Sequence, residues 1–226
     1  MKRITQRQMT LHHAVSIVGG FLGSYTIFNH FDFFCNAQTG NLIRLVQDLC
    51  RGDLSLVWFM LLGFVTYCGG NAFYVLVRRR SRLNMKIVSL IVTSAAVVIV
   101  GACPFITNHI LACIPLVFAA PVQWNAFKTA GGNSSSTIFS SNNVRQASML
   151  LTKYLFVDKD KATLARARFY WATLLCFHIG VAFGCLTSMW LGTAAIWFCF
   201  VPILLSALAY YRYISAKWQA AALVGH

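Results

Sequence analysis

The chain contains no glutamate, and its five aspartates face nineteen lysines and arginines in 226 residues. Charged residues make up only 11% of it, against about 25% in a soluble domain. So few charges cannot cover the surface of one or two soluble domains. Lipid is the solvent that fits, because 58% of the residues are hydrophobic. Without glutamate there is no pair of Glu for acid–base catalysis. No H-E-x-x-H, G-x-S-x-G or phosphate-binding glycine loop occurs, so no catalytic constellation is present and an enzyme is not expected. The eight cysteines include no C-x-x-C, and most lie inside apolar runs. They read as small buried hydrophobes rather than as a disulfide framework or metal site, and no cofactor is implied.

A net charge of +14 would suggest nucleic acid in a soluble chain. No nucleic-acid motif accompanies it, and in a membrane protein such charge gathers in cytoplasmic loops beside anionic headgroups. Lys2, Arg3 and Arg7 precede an apolar stretch, as in a signal peptide. No small-x-small site precedes the bulky Tyr25-Thr26-Ile27-Phe28, so an uncleaved first helix is expected.

Six stretches approach the roughly 20 apolar residues that cross a hydrocarbon core: Leu11–Phe28, Leu54–Val77, Lys86–Cys103, His109–Phe127, Phe169–Met189 and Gly192–Tyr211. With the N-terminus inside, seventeen of the nineteen basic residues lie on the cytoplasmic side, leaving Arg44 and Arg51 outside. This asymmetry sets both termini in the cytoplasm. Trp58, Trp171 and Trp190 near span ends fit an interfacial belt.

Two connections are longer and more polar: 29–53 after the first span and 128–168 after the fourth. In the first, Leu42, Leu45, Val46 and Leu49 share a helix face; in the second, Val144, Ala147, Met149, Leu150, Leu151 and Leu155 do. Each reads as a short amphipathic or re-entrant helix, over 41–50 and 143–156. Gln38-Thr39-Gly40-Asn41-Leu42-Ile43-Arg44 aligns with Ser140-Ser141-Asn142-Asn143-Val144-Arg145-Gln146. The unit of span, polar turn, short helix and two spans thus occurs twice, over 1–104 and 105–226. Three crossings per unit put the copies in opposite orientations. The fold expected is an all-α membrane protein with a 3+3 inverted repeat, as in many secondary transporters.

Gln38-Thr39-Gly40-Asn41, with Gln123-Trp124-Asn125-Ala126-Phe127 and the run from Ser135 to Asn143, resembles the YoaK family of bacterial membrane proteins, domain of unknown function 1275, over nearly the whole chain. The resemblance implies a multi-pass protein of the bacterial cytoplasmic membrane with a transporter-like architecture. It carries no settled activity. Gly23-Ser24 stands where relatives often have Asp-Ala inside the first helix, so a proton relay through that acid is missing here.

Candidate site residues follow from depth and polarity. Asn41 and Asn143 are expected to begin the short helices, either as caps or as starts whose free N–H groups hold a polar or anionic ligand. Gln38, Thr39, Ser141 and Asn142 flank them. Arg44 and Arg145 lie within the first turn, where a cation opposes the helix dipole; they snorkel to headgroups or meet a ligand carboxylate or phosphate. Gln123 and Asn125 bond between helices or line the site. Asp32 and the mid-span His178 are candidates for ion coupling. Asp48 and Asp53 read as surface groups. Gly19, Gly20, Gly23, Gly180 and Gly184 give spacings for close helix packing.

The leading expectation is a small transporter or exporter of a polar or anionic small molecule, alternating access between inverted halves. A non-transporting scaffold or sensor of an envelope complex is the alternative. The bilayer and a solute are the partners expected, nucleic acid is not, and self-association is left open.

Overall fold

The computed structural model describes residues 2–30 and 32–224. Met1, Phe31, Gly225, His226 and the side chains of Lys2, Leu223 and Val224 lie outside the described residues, so the Lys2 charge counted above is not placed. The described residues are all-α apart from a hairpin of two two-residue strands. Its helices are α1 (Lys2–Asn29), α2 (Gln38–Arg51), α3 (Leu54–Arg80), α4 (Met85–Ala102), α5 (His109–Ala126), α6 (Ser141–Lys153), α7 (Lys161–Leu191) and α8 (Phe200–Val224). The hairpin pairs β1 (Thr129–Ala130) with β2 (Asn133–Ser134). A π-helical turn, Tyr154–Asp158, follows α6, and a 3-10 segment, Gly192–Cys199, joins α7 to α8.

Among the described residues, four helical runs are long and apolar enough to cross a membrane: α3, α4, α5 and the run 161–222, which is broken at Gly192 where φ is +53°. α1 is not among them. His12, His13, Ser16, Ser24 and Thr26 dilute its apolarity, and other helices cover much of it. Leu11, Val15, Val18, Phe21, Leu22 and Tyr25 are all buried.

The distribution of apolar residues is that of a protein in lipid. Leu62, Val65, Ile91, Ile99, Leu175, Leu186 and Leu204 are exposed, while Ser89, Thr93, Thr173 and Ser206 are buried. The short helices carry this inversion furthest. In α2, Ile43, Val46 and Leu49 face outward while Asn41 and Asp48 are buried; in α6, Val144 and Met149 are exposed and Asn143 is buried. Asp48, expected at the surface, is therefore inside, and its Oδ2 has no hydrogen-bond partner. A helix whose oily face meets lipid must turn its polar face inward. Trp58 and Trp190 are among the most exposed large residues, as an interfacial belt requires.

Contacts at the two ends fix the helix directions. At one end, Arg7 of α1 donates to the Arg212 carbonyl of α8, and Lys86 at the start of α4 lies over the rings of Phe127 and Tyr213. There too, Arg166 and Tyr170 near the start of α7 donate to Asn133 and Ser134. At the other end, Asn29 donates to Ser188, Tyr25 to the Thr193 carbonyl, and His30 meets His109. α1, α4 and α7 thus run one way and α3, α5 and α8 the other.

α1 packs on α7 and α8, and α5 packs on α3 and α4; α2 lies on α3, and α6 on α7. Exchanging α1–α4 with α5–α8 leaves this set of pairs unchanged. At Gly20 and Gly180 the α1–α7 contact is backbone against backbone. A Cβ placed at Gly20 would fall 1.9 Å from the Phe177 carbonyl oxygen, and one at Gly180 would fall 2.0 Å from that of Ile17.

Candidate functional site

Asn41 and Asn143 do not begin their helices. α2 starts at Gln38 and α6 at Ser141, and the residues in the cap positions, Ala37 and Ser140, make no side-chain cap bond. Both asparagines instead lie in the first turn and reach back seven residues. Asn41 Nδ2 donates to the Phe34 carbonyl at 2.7 Å, and its Oδ1 accepts from the Phe34 N–H at 3.0 Å. Asn143 Nδ2 donates to the Ser136 carbonyl at 2.7 Å, and its Oδ1 accepts from the Ser136 N–H at 3.3 Å and the Ser135 hydroxyl at 2.9 Å. An amide that offers one donor and one acceptor can close both bonds of a peptide unit in an irregular loop. That satisfies backbone which would otherwise be buried and unpaired.

The two clasped loops meet. Asn36 Nδ2 donates to the Ile138 carbonyl, 102 residues away, and also approaches the Gly19 carbonyl. Asn41 and Asn143 are separated by the same 102 positions, as are Phe34 and Ser136.

Beside this junction is a cavity of about 450 Å³, lined by Asn36, Gln38, Thr39, Tyr67, Trp124, Phe139 and Ser141 among others. The starts of α2 and α6 therefore share one cavity. Its lining carries no charged side chain. Gln38 Nε2 is buried without a partner, and the first N–H groups of both helices receive no bond from a cap side chain. Trp124 and Phe139 form an edge-to-face pair with centroids 4.8 Å apart. Such a site offers donors for one or two oxygens and an aromatic wall for an apolar body.

The other candidate residues lie elsewhere. Gln123 is buried against α1, donating to the Val15 carbonyl at 3.3 Å, and Asn125 donates to Asn71 Oδ1 at 2.8 Å, tying α5 to α3. Asn142 is half-buried, and neither it nor Gln123, Asn125, Asn41 or Asn143 lines the shared cavity. The two arginines do not converge: Arg44 lines a separate cavity of about 300 Å³ beside His30 and His109, and Arg145 is exposed. They do not occupy matching positions, since Arg44 aligns with Gln146 rather than with Arg145. Asp32 is exposed in the left-handed region (φ 55°), near His109. His178 is exposed on α7, where Nδ1–H donates to the Leu174 carbonyl at 2.8 Å. Of the eight cysteines, Cys35, Cys113 and Cys199 are buried, and Cys50 and Cys68 are exposed. Among the described residues no group of three His, Cys, Asp or Glu is placed to hold a metal.

Asn36, Tyr67 and Asn71 were missed. Extending the 38–44 and 140–146 register backward brings Asn36 opposite Ile138, the residue it bonds; nothing in the sequence signals Tyr67 or Asn71.

His30 follows the C-terminal end of α1, buried, with Nδ1 unpartnered. Burial, with a smaller effect of His109, lowers its pKa to about 4. An unfolded chain protonates this imidazole near 6.5, so between pH 6.5 and 4 the unfolded state binds more protons. Stability falls as pH drops through that window and is unaffected by this group above it. Allowing for partial solvation, the loss is about 1–2 kcal/mol. Thermal midpoints at pH 7 and 4.5 should fall further apart in the wild type than in His30→Gln; equal acid sensitivity would contradict the assignment.

Inverted amphipathic helices, a lipid-type exterior and four apolar runs define a helical membrane protein. Residues 11–209 match the family model described as a protein of unknown function (DUF1275), and the chain belongs to that family. No curated protein and no solved structure matches it.

Proposed function

We propose that this chain is a small transporter of the bacterial cytoplasmic membrane, with six crossings in a 3+3 inverted repeat and both termini inside. It binds a polar or anionic small molecule between its halves and carries it by alternating access. The observation that carries this proposal is the single cavity walled by the starts of α2 and α6. In inverted-repeat carriers the substrate meets helix starts at the repeat interface. The repeat is supported by the equivalent Asn41 and Asn143 clasps, by Asn36 bonding the carbonyl of its counterpart Ile138, and by the packing pairs that survive exchange of the halves. A residue that touches its own counterpart lies on the two-fold axis, so the cavity beside it belongs to both halves.

The uncharged lining refines the substrate. With no fixed cation, an anionic solute is held by helix-start N–H groups, Gln38 and Ser141, while Trp124, Phe139 and Tyr67 take an apolar portion. A small carboxylate or zwitterion with an apolar body fits best. A scaffold has no use for a cavity whose polar groups are left unpaired, since such groups cost stability. A thermal-shift screen of purified protein against amino acids and carboxylates should yield a stabilising class, by about 2.7 kcal/mol at a hundredfold excess over Kd. Gln38→Leu should abolish that shift while leaving the unliganded midpoint nearly unchanged. A shift that survives in Gln38→Leu would place the ligand elsewhere.

A further inference from the structure

A second cavity, of about 680 Å³, lies at the basic end of the bundle between α1 and α8, far from the junction of α2 and α6. Its α1 wall is a single helical stripe running from Arg3 and Arg7 to His13 and Ile17, and its α8 wall includes Leu208 and Arg212. The two parts differ in chemistry. Arg3, Arg7 and Arg212 gather at the mouth, and no aspartate lines the cavity to balance them. Arg7 is drawn onto α8 by its bond to the Arg212 carbonyl, and both side chains line the cavity. His13 Nε2 is buried and has no partner. Deeper in, the wall turns apolar, and Leu208 is about half exposed. From Arg7 to Ile17 the stripe covers about 15 Å at 1.5 Å per residue, half of the roughly 30 Å hydrocarbon core. A cationic mouth at headgroup depth and an apolar trough one leaflet deep match one anionic phospholipid.

We infer that this crevice is a specific site for an anionic phospholipid, its phosphate held by Arg3, Arg7 and Arg212 and one acyl chain lying along Ile17 and Leu208. Guanidinium groups suit a phosphate because they offer paired donors in a planar fork, and basic pockets between helices on the cytoplasmic side select such lipids. The site does not depend on any solute being transported.

The test is native mass spectrometry of purified protein in mixed micelles of phosphatidylglycerol and phosphatidylcholine. Wild type should retain phosphatidylglycerol at least five-fold over phosphatidylcholine. Arg7→Gln/Arg212→Gln should lose that preference, and Leu208→Trp, which fills the trough from an exposed position without changing charge, should weaken it. Arg79→Gln/Arg80→Gln removes two exposed charges near the same end but outside the cavity, and should keep the preference. Equal losses in the two double variants would mean general electrostatics and overturn the site, as would no preference in the wild type. Glycerol phosphate stabilising the protein as well as the intact lipid would also contradict it, because the trough would then contribute nothing.

Discussion

Gly20→Ala and Gly180→Ala should each destabilise the protein by about 3 kcal/mol or more, and the corresponding leucine variants should yield no folded protein. Overpacking a core usually costs about 1–3 kcal/mol because neighbouring side chains give way. Here the obstruction is backbone. A Cβ at Gly20 would lie 1.9 Å from the Phe177 carbonyl oxygen, and at Gly180 2.0 Å from that of Ile17, so α1 and α7 would have to separate along their length. Since α1 also packs on α8, that movement would spread. Gly69 in α3 is the internal control: nothing lies within 4 Å of its Cβ position, and Gly69→Ala should be neutral or stabilise by about 0.5–1 kcal/mol through helix propensity alone. Thermal midpoints and yields of the three alanine variants decide the matter, and similar values for Gly20→Ala and Gly69→Ala would refute the close contact.

Asn143→Ala should cost about 3–4 kcal/mol and Asn41→Ala about 2–3. Each leaves an N–H and a carbonyl unpaired, buried at Ser136 and half-buried at Phe34, at about 1–3 kcal/mol per group before relaxation. Asn143→Ala also removes the acceptor of the Ser135 hydroxyl, leaving it His12 alone at 3.0 Å. Aspartate is no substitute in either place, because it keeps the acceptor but turns a second oxygen toward the Phe34 or Ser136 carbonyl. Beyond stability, both alanine variants should lose ligand binding, since the clasped loops set the positions of Gln38 and Ser141. Asn84→Ala, which removes an exposed helix cap on α4, should cost only about 1 kcal/mol and leave binding intact. Full binding in Asn41→Ala and Asn143→Ala would detach the clasps from the site.

Hydropathy and charge were enough to expect α3, α4 and α5 within a few residues, because lipid imposes length and apolarity directly. They were also enough to mark both short helices and their 102-residue register. What was not legible depends on direction. The apolar stripe of α2 could have faced inward or outward, and only its place against lipid shows that Asp48 is buried. The cap roles given to Asn41 and Asn143 treated a helix start as a local matter, whereas their partners lie seven residues upstream in loops with no periodicity. Arg44 and Arg145 look equivalent because each follows an asparagine closely, but they are 101 residues apart where the two asparagines are 102 apart, and they point to different places. Tyr67 and Asn71 came from the middle of a span, where a single sequence gives no sign of which face meets a cavity.

Access to the shared cavity from both faces of the membrane is the central claim, and thiol labelling at Ser141 tests it most directly. Ser141→Cys would be made in a background with the exposed Cys50 and Cys68 changed to serine, and inserted in vesicles of each orientation. A membrane-impermeant maleimide should label position 141 from either side, at rates that a bound solute shifts in opposite directions. Labelling from one side only, or rates indifferent to every solute that stabilises the protein, would contradict alternating access.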